Sequence, residues 1–364
     1  MPTSFTKATK HRYAHLDVQG SYYKIGFEIG RAFKNSISKI IERRKDWYSG
    51  LIEIIKSDVG SKYSRALLEY SNKYFPDVIT ELKGMADGSG YHFDYLWAMS
   101  IKSELGLLLK EPPGCSTIAY CGEKKKLLLH NEDGHKDYRD ILYTVRATPP
   151  SGISYMSLFY TASIAGGGPA LNSKGIGFTT NYIGTTKPQV GVPRYVIGRA
   201  VLEATKLQEA VDIVTTRERA FPFHFNLFSF NEQKYASLET TPFAFDLRYL
   251  QGYSFHTNHL MSDKLKGFEF AEKQTADGSS MSRYSVIKKE LGKLNDDSVN
   301  DESLLAILSS HQKRPFSPCR HAQGHIFGQT LATALVDITE GRFLLYKGNP
   351  CESLKEGLPI SFEF

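Results

Sequence analysis

The chain has 364 residues, 41% of them hydrophobic and 23% charged, which suits a soluble globular protein with a core of useful size. Its formal charge of +6 comes from Lys and Arg interleaved with Asp and Glu along the whole length. The short basic runs Arg43-Arg44-Lys45 and Lys124-Lys125-Lys126 read as solvated faces, so no nucleic-acid partner is expected. Met1–His15 is polar without an apolar signal core, and no stretch is long and apolar enough to span a membrane. The cytoplasm is the expected compartment.

In chain order, the first stretch reads as helical. Ser21 is placed to cap a helix in which Ile25, Ile29, Phe33, Ile37, Ile40 and Ile41 recur at helical spacing, and Trp47, Leu51, Ile54 and Ile55 continue the stripe. A second helix is expected over Arg65–Tyr74. A third opens at Pro76-Asp77 with Leu82 and Met85 on one face. A short fourth is expected after a capping Asp94. From residue 115 the pattern turns to strands. Cys115–Cys121 and Lys126–Asn131 flank a turn at Gly122-Glu123-Lys124 and form a hairpin. Strands follow over Ile141–Ala147, Ile153–Thr161 and Gly175–Ile183. Two helices, Pro193–Ala204 and Leu207–Thr215, precede four further strands between His224 and His256. Helices over Ser282–Leu291 and Asp301–Ser309 come next, then strands Leu331–Ile338 and Arg342–Lys347. Layered sheets covered by helices are the expected architecture.

Four cysteines in a chain this long do not make a disulfide framework, and no C-x-x-C pair announces a zinc site. His256, His259, His321 and His325 also lack metal-ligand spacing, so no metal is expected. Gly166-Gly167-Gly168 lacks the Lys-Ser/Thr of a phosphate loop.

The informative segment is Pro112-Pro113-Gly114-Cys115. The prolines stop what precedes them, Gly114 has no Cβ, and a strand starts at Cys115. A thiol there can attack the preceding carbonyl. Hydrolysis of the thioester then leaves Cys115 as a chain terminus with both a thiol and an α-amine, whose pKa near 7.7–8.0 lets it serve as base for its own thiol. The hairpin returns Asp133 close to Cys115, where a carboxylate can hold that amine.

The segment Gly114-Cys115-Ser116-Thr117…His130-Asn131-Glu132-Asp133 resembles the signature of the isopenicillin N acyltransferase family of N-terminal-nucleophile (Ntn) hydrolases. That family is distantly similar to penicillin V acylases and bile-salt hydrolases. Further segments in the same order match it: Gly20–Gly30, Glu81–Gly90, Leu171–Gly177 with Thr180-Asn181-Tyr182, Val192-Pro193-Arg194, and His256-Thr257-Asn258-His259 followed by Ser279-Ser280 and Arg283. The resemblance implies an α+β fold, a four-layer αββα sandwich of two mostly antiparallel sheets. It implies self-cleavage before Cys115 into a helical chain 1–114, which stays packed, and a catalytic chain 115–364, together one domain. It implies Cys115, Asp133, Asn258 and Arg320 as catalytic residues, with Asn258 and the backbone near Asn181-Tyr182 donating to an oxyanion. Arg320 would pair with Asp133 or bind a substrate carboxylate. His130 and Asn131 are expected at the oxyanion or substrate site. Two departures stand out: relatives often carry Gln or Arg in place of His130, and an aromatic residue in place of Glu132. Glu132 makes the pocket more polar or suited to cations.

The expected function is cleavage or transfer of the acyl group of a small N-acyl amide through a Cys115 thioester, without a cofactor. An acyltransferase taking its acyl group from acyl-CoA is the alternative. A catalytically silent binding protein on the same fold is the alternative of another class.

Overall fold

The computed structural model of the chain describes residues 3–105, 114–185, 188–216, 218–268, 278–356 and 359–364. Pro112 and Pro113, which precede the expected cleavage site, lie outside the described residues.

The N-terminal stretch builds five helices: α1 (Tyr22–Arg43), α2 (Lys45–Lys56), α3 (Asp58–Tyr74), α4 (Pro76–Ser89) and α5 (Phe93–Ser100). Ser21 caps α1 as expected, its hydroxyl accepting from the Lys24 N–H at 3.2 Å. The stripe Ile25, Ile29, Phe33, Ile37 and Ile40 is buried. α3 begins at Asp58, earlier than the sequence suggests, because Ser57 supplies its cap. The cap of α5 is His92 rather than Asp94: its ring nitrogen accepts from the Asp94 N–H, which already belongs to the first turn. α1 and α4 lie against one another through glycines. A Cβ at Gly26 would overlap the Glu81 carbonyl, and one at Gly84 would overlap that of Tyr23.

Two sheets follow from the alternating segments. The larger has nine strands in the order β1-β2-β5-β6-β7-β8-β9-β10-β11. These are Ser4–Thr6, Ala14–Gln19, Tyr143–Thr148, Tyr155–Phe159, Ala170–Asn172, Ile176–Tyr182, Phe223–Ser229, Lys234–Thr240 and Phe245–Tyr249. Its one parallel pair, β2 with β5, runs from Ala14 opposite Tyr143 to Gln19 opposite Thr148. The smaller has six strands in the order β12-β3-β4-β13-β14-β15. These are Gly252–His256, Cys115–Cys121, Lys126–His135, Gly328–Asp337, Arg342–Lys347 and Ile360–Ser361. Two helices, α6 (Arg194–Val201) and α7 (Leu207–Val214), connect β8 to β9. β1 and β2 were not expected; β1 is three exposed residues in a polar stretch, and β2 is a short alternation just before α1.

The layering is visible in what each face touches. Phe33 of α1 stacks on Tyr143 of β5, and Glu81 of α4 accepts from the Tyr155 hydroxyl of β6, so the α1/α4 layer covers the larger sheet. On the smaller sheet Ile118, Tyr120, Leu127 and Leu129 face outward and pack with Ile287 and Leu291 of helix Ser279–Leu291 and Leu304 and Leu308 of helix Asp301–Leu308. Between the sheets, Thr117 of β3 reaches Asn181 of β8, and the rings of His224 and His256 stack at 3.8 Å. Helices, sheet, sheet, helices: the αββα order holds. Among the described residues, no helix is long and apolar enough to cross a membrane.

Candidate active site

The site forms at the end of the β3/β4 hairpin. The register sets Cys115 opposite Glu132, Ser116 opposite Asn131 and Thr117 opposite His130. Directly opposed residues share a face, and neighbours alternate. Cys115, Glu132, Thr117 and His130 therefore point between the sheets. Ser116 and Asn131 point to the outer helices.

On the inner face, the Cys115 Sγ stands 3.7 Å from Glu132 Oε1. Glu132 Oε1 also accepts from the Tyr160 hydroxyl at 2.6 Å, and Oε2 lies 3.1 Å from His130 Nε2. The other His130 nitrogen is 2.8 Å from the Thr117 hydroxyl, which donates to Asn181 Oδ1 at 2.9 Å. Asn226 and His224 complete this buried network. Burial pushes the Cys115 thiol well up, and the nearby Glu132 and Asp133 charges add to it. The thiol is thus held protonated until a base removes its hydrogen, and the Glu132 carboxylate is aimed at it.

The other side of the Cys115 backbone meets a different set of groups. Its N–H donates to Asn258 Oδ1 at 2.9 Å. Arg283, on helix Ser279–Leu291, donates to the Cys115 carbonyl, to Ser116 Oγ at 3.0 Å and to Asn258 Oδ1 at 2.6 Å. The Asn258 amide nitrogen donates to the Tyr182 carbonyl at 2.9 Å, leaving one of its two hydrogens for another acceptor. Asp133 is fully buried, and neither carboxylate oxygen has a well-formed hydrogen bond among the described residues. Arg320 Nη1 stands 4.0 Å from Asp133 Oδ2. Burial pushes the Asp133 carboxyl up to about 6, although Arg320 and Arg283 pull the other way. Gly114 sits among these groups: a Cβ there would overlap the Arg320 guanidinium and lie 3.4 Å from Asp133 Oδ2. A side chain at 114 would therefore displace the guanidinium of Arg320, whereas the φ of Gly114 is not in the left-handed region and makes no demand for glycine.

A cavity of about 560 Å³ opens beside Cys115. Glu132, Tyr160 and Tyr182 line it, as do the cations Arg44, Lys102, Arg194 and Arg320. Lys102 lies 4.5 Å over the Tyr160 ring, and burial, with Arg194 and Arg44 nearby, lowers it to about 7.

Of the residues singled out in the sequence, the structure thus brings Gly114, Cys115, Asp133, Asn258 and Arg320 together. Tyr182 joins them through its carbonyl. His130 and Asn181 sit one and three links back in the network behind Glu132. Asn131 does not belong: its amide donates to the Leu308 and Pro318 carbonyls, and it accepts from Thr333. Strand alternation turns it to the outer face, where it ties helix Asp301–Leu308 to the sheet. The sequence marks Glu132 only as making the pocket more polar or suited to cations, and Arg283 stands in the quoted segments without a role. Register alone would have set Glu132 against the thiol. Nothing local in the sequence pointed Arg283 at the Cys115 carbonyl.

A family model described as acyl-coenzyme A:6-aminopenicillanic acid acyl-transferase matches residues 121–352. The β-alanyl-dopamine/carcinine hydrolase of Drosophila melanogaster is 28% identical over 217 residues, 55% of this chain and 56% of that protein. This chain therefore matches little more than half the length of that relative. The 40 kDa form of the acyl-coenzyme A:6-aminopenicillanic-acid-acyltransferase of Emericella nidulans is 22% identical over 343 residues, 92% of this chain and 93% of that one. Among solved structures, penicillin V acylase from Agrobacterium tumefaciens aligns with a TM-score of 0.40 and 11% identity over 64% of this chain and 82% of its own.

Proposed function

Because the chain belongs to the acyl-coenzyme A:6-aminopenicillanic acid acyl-transferase family, we propose that it moves the acyl group of an N-acyl amide through a thioester on Cys115, having first cut itself before that residue. The observation that carries this reading is the buried Asp133 carboxylate, without a well-formed hydrogen bond among the described residues, beside Gly114 at the proposed cut. A buried carboxylate with no good partner is costly. The α-amine released at Cys115 supplies the N–H donor it lacks, and only cleavage creates it.

In the uncut chain Glu132 takes the thiol proton. The Sγ attacks the Gly114 carbonyl carbon, and the Gly114–Cys115 C–N bond breaks with a proton delivered to the departing nitrogen. A thioester is left, and water hydrolyses it to a Gly114 carboxylate and a free thiol. Arg283 holds Cys115 by its own carbonyl during the exchange. In the cut enzyme the α-amine of Cys115, held by Asp133 and Asn258 Oδ1, becomes the base for the thiol. The Sγ then attacks the substrate amide, the amine leaves with a proton, and the acyl-thioester passes to water or to another amine. The second hydrogen of the Asn258 amide serves the oxyanion. Such a donor is typically worth about 10²–10³ in rate. Transfer from acyl-CoA is the second reading, favoured by the three arginines Arg44, Arg194 and Arg320 in the cavity lining. A free nucleophilic thiol suits the reducing cytoplasm.

The deciding experiment is intact mass under denaturing conditions. Wild type should give two chains, 1–114 and 115–364, and Cys115→Ala one uncut chain without amidase or acyl-transfer activity. A wild type that stays whole, or a Cys115→Ala protein that is cut or active, rejects the proposal.

A further inference from the structure

Away from this cavity, four side chains with metal-binding atoms converge. His311 follows helix Asp301–Leu308, Cys319 and His321 lie in the irregular crossing toward β13, and Cys351 is on the last helix, Pro350–Glu356. Their donor atoms all lie within 4.8 Å of one another. Cys319 Sγ and Cys351 Sγ are 3.6 Å apart. One nitrogen, His321 Nε2, is 3.6 Å from Cys319 Sγ, 3.4 Å from Cys351 Sγ and 3.2 Å from His311 Nε2.

These lengths are four of the six edges of the tetrahedron the donors would make around an ion, the other two being under 4.8 Å. Zinc binds thiolate at roughly 2.3 Å and imidazole at roughly 2.0–2.1 Å. A tetrahedral ion therefore spaces its ligands about 3.8 Å for sulfur to sulfur, about 3.6 Å for sulfur to nitrogen and about 3.3 Å for nitrogen to nitrogen. The four separations fall within a few tenths of an ångström of these values. A Cys319–Cys351 disulfide would bring the sulfurs to about 2.05 Å and leave both histidines without a purpose.

From this geometry we propose that the chain carries a structural zinc ion bound by His311, Cys319, His321 and Cys351. Two thiolates and two neutral imidazoles balance its charge, and four protein ligands close the site to substrate. The surroundings fit. Cys319 is buried, and Asn349, itself buried, donates to the Cys319 sulfur at 3.6 Å and to the Arg320 carbonyl. Such outer partners orient ligands and temper thiolate charge. The spacing His-x₇-Cys-x-His-x₂₉-Cys matches no short zinc motif. The expectation of no cysteine-based zinc site rested on sequence spacing, whereas these four atoms are collected only by the fold.

The ion also has work to do at a distance. Cys319 and His321 flank Arg320 and turn toward the metal. Arg320 turns the other way, to Gly114, Gly328 and Asp133. The crossing segment lends Phe316, Ile326 and Phe327 to the cavity wall. Zinc would pin this stretch to the C-terminal helix and so fix Arg320, a positioning role for the metal. The inference holds whether or not the chain cuts itself.

The test is metal content of the full chain, purified without chelator, incubated with micromolar zinc and dialysed, measured by inductively coupled plasma mass spectrometry. About one zinc per chain is expected for wild type and for Cys115→Ala, and a small fraction of that for Cys351→Ser and His311→Ala. Cobalt exchanged into wild type should show the thiolate charge-transfer band and the intense visible bands of a tetrahedral S₂N₂ ion, a reading that does not depend on any variant folding. Wild type without zinc, full zinc in folded Cys351→Ser, zinc lost in Cys115→Ala, absent cobalt bands, or a native mass two hydrogens light from a Cys319–Cys351 disulfide would each overturn it.

Discussion

Replacing Asp133 by Asn in the uncut Cys115→Ala chain tests the state of the unmet carboxylate directly. Burial raises this carboxyl from the ordinary 3.8 to about 6. Between those values the folded chain keeps a proton that the unfolded chain has lost. Stability conferred by the parent carboxyl therefore falls as pH rises through the window, and stays at its lower level above it. At about 1.36 kcal/mol per pH unit, the displacement corresponds to about 3 kcal/mol. Asn carries no such titration. Urea unfolding of Cys115→Ala with and without Asp133→Asn, at about pH 4 and about pH 7.5, isolates the effect as a difference of differences. Because the unfolded carboxyl is already more than half ionised at pH 4, the Asn chain should gain about 2.4 kcal/mol on its parent between the two pH values. A gap that stays flat with pH would show the carboxylate to be contented without an ammonium, and the argument for a waiting donor would fail.

Glu132→Gln keeps the size of the side chain and removes the base, so self-cleavage should slow by about 10²–10⁴, followed as the decay of the uncut chain by mass spectrometry. Cleavage at the wild-type rate would leave Glu132 with no part in it. Gly84→Ala drives a methyl into the Tyr23 carbonyl across the α1–α4 contact and should cost about 1–3 kcal/mol in urea unfolding. Gly50→Ala, where nothing lies within 4 Å of the added carbon, should stabilise α2 by a few tenths to about 1 kcal/mol; equal costs at the two sites would refute the packing account.

Much of the architecture was legible because its signals are local. The α1 stripe, the Ser21 cap and the hairpin from Cys115 each lie within a few turns or one strand pair. Asp133 was found the same way, by letting a hairpin return to its start. What failed is non-local. β1 is short and exposed, and although β2 alternates Ala14, Leu16 and Val18 with His15, Asp17 and Gln19, its parallel partner β5 lies more than 120 residues along the chain. Asn131 was assigned to the site from its neighbours, although one step along a strand reverses the face. Arg283 and the His311–Cys351 cluster depend on which helices close over which sheet, and no spacing rule encodes that.

The parallel pairing of β2 with β5 has a consequence for the life history of the protein. β2 precedes Cys115 and β5 follows it, so one continuous sheet is woven from both sides of the proposed cut. Before cleavage, the two sides find each other as parts of one molecule. Afterwards they are separate polymers, and their reunion is a second-order event whose yield depends on dilution. A cut enzyme, once unfolded, should therefore recover poorly, with a melting midpoint that shifts with protein concentration, whereas the uncut Cys115→Ala chain should refold at a rate independent of it. The covalent link between Gly114 and Cys115 would then act as an assembly tether, needed once and discarded by the reaction it makes possible.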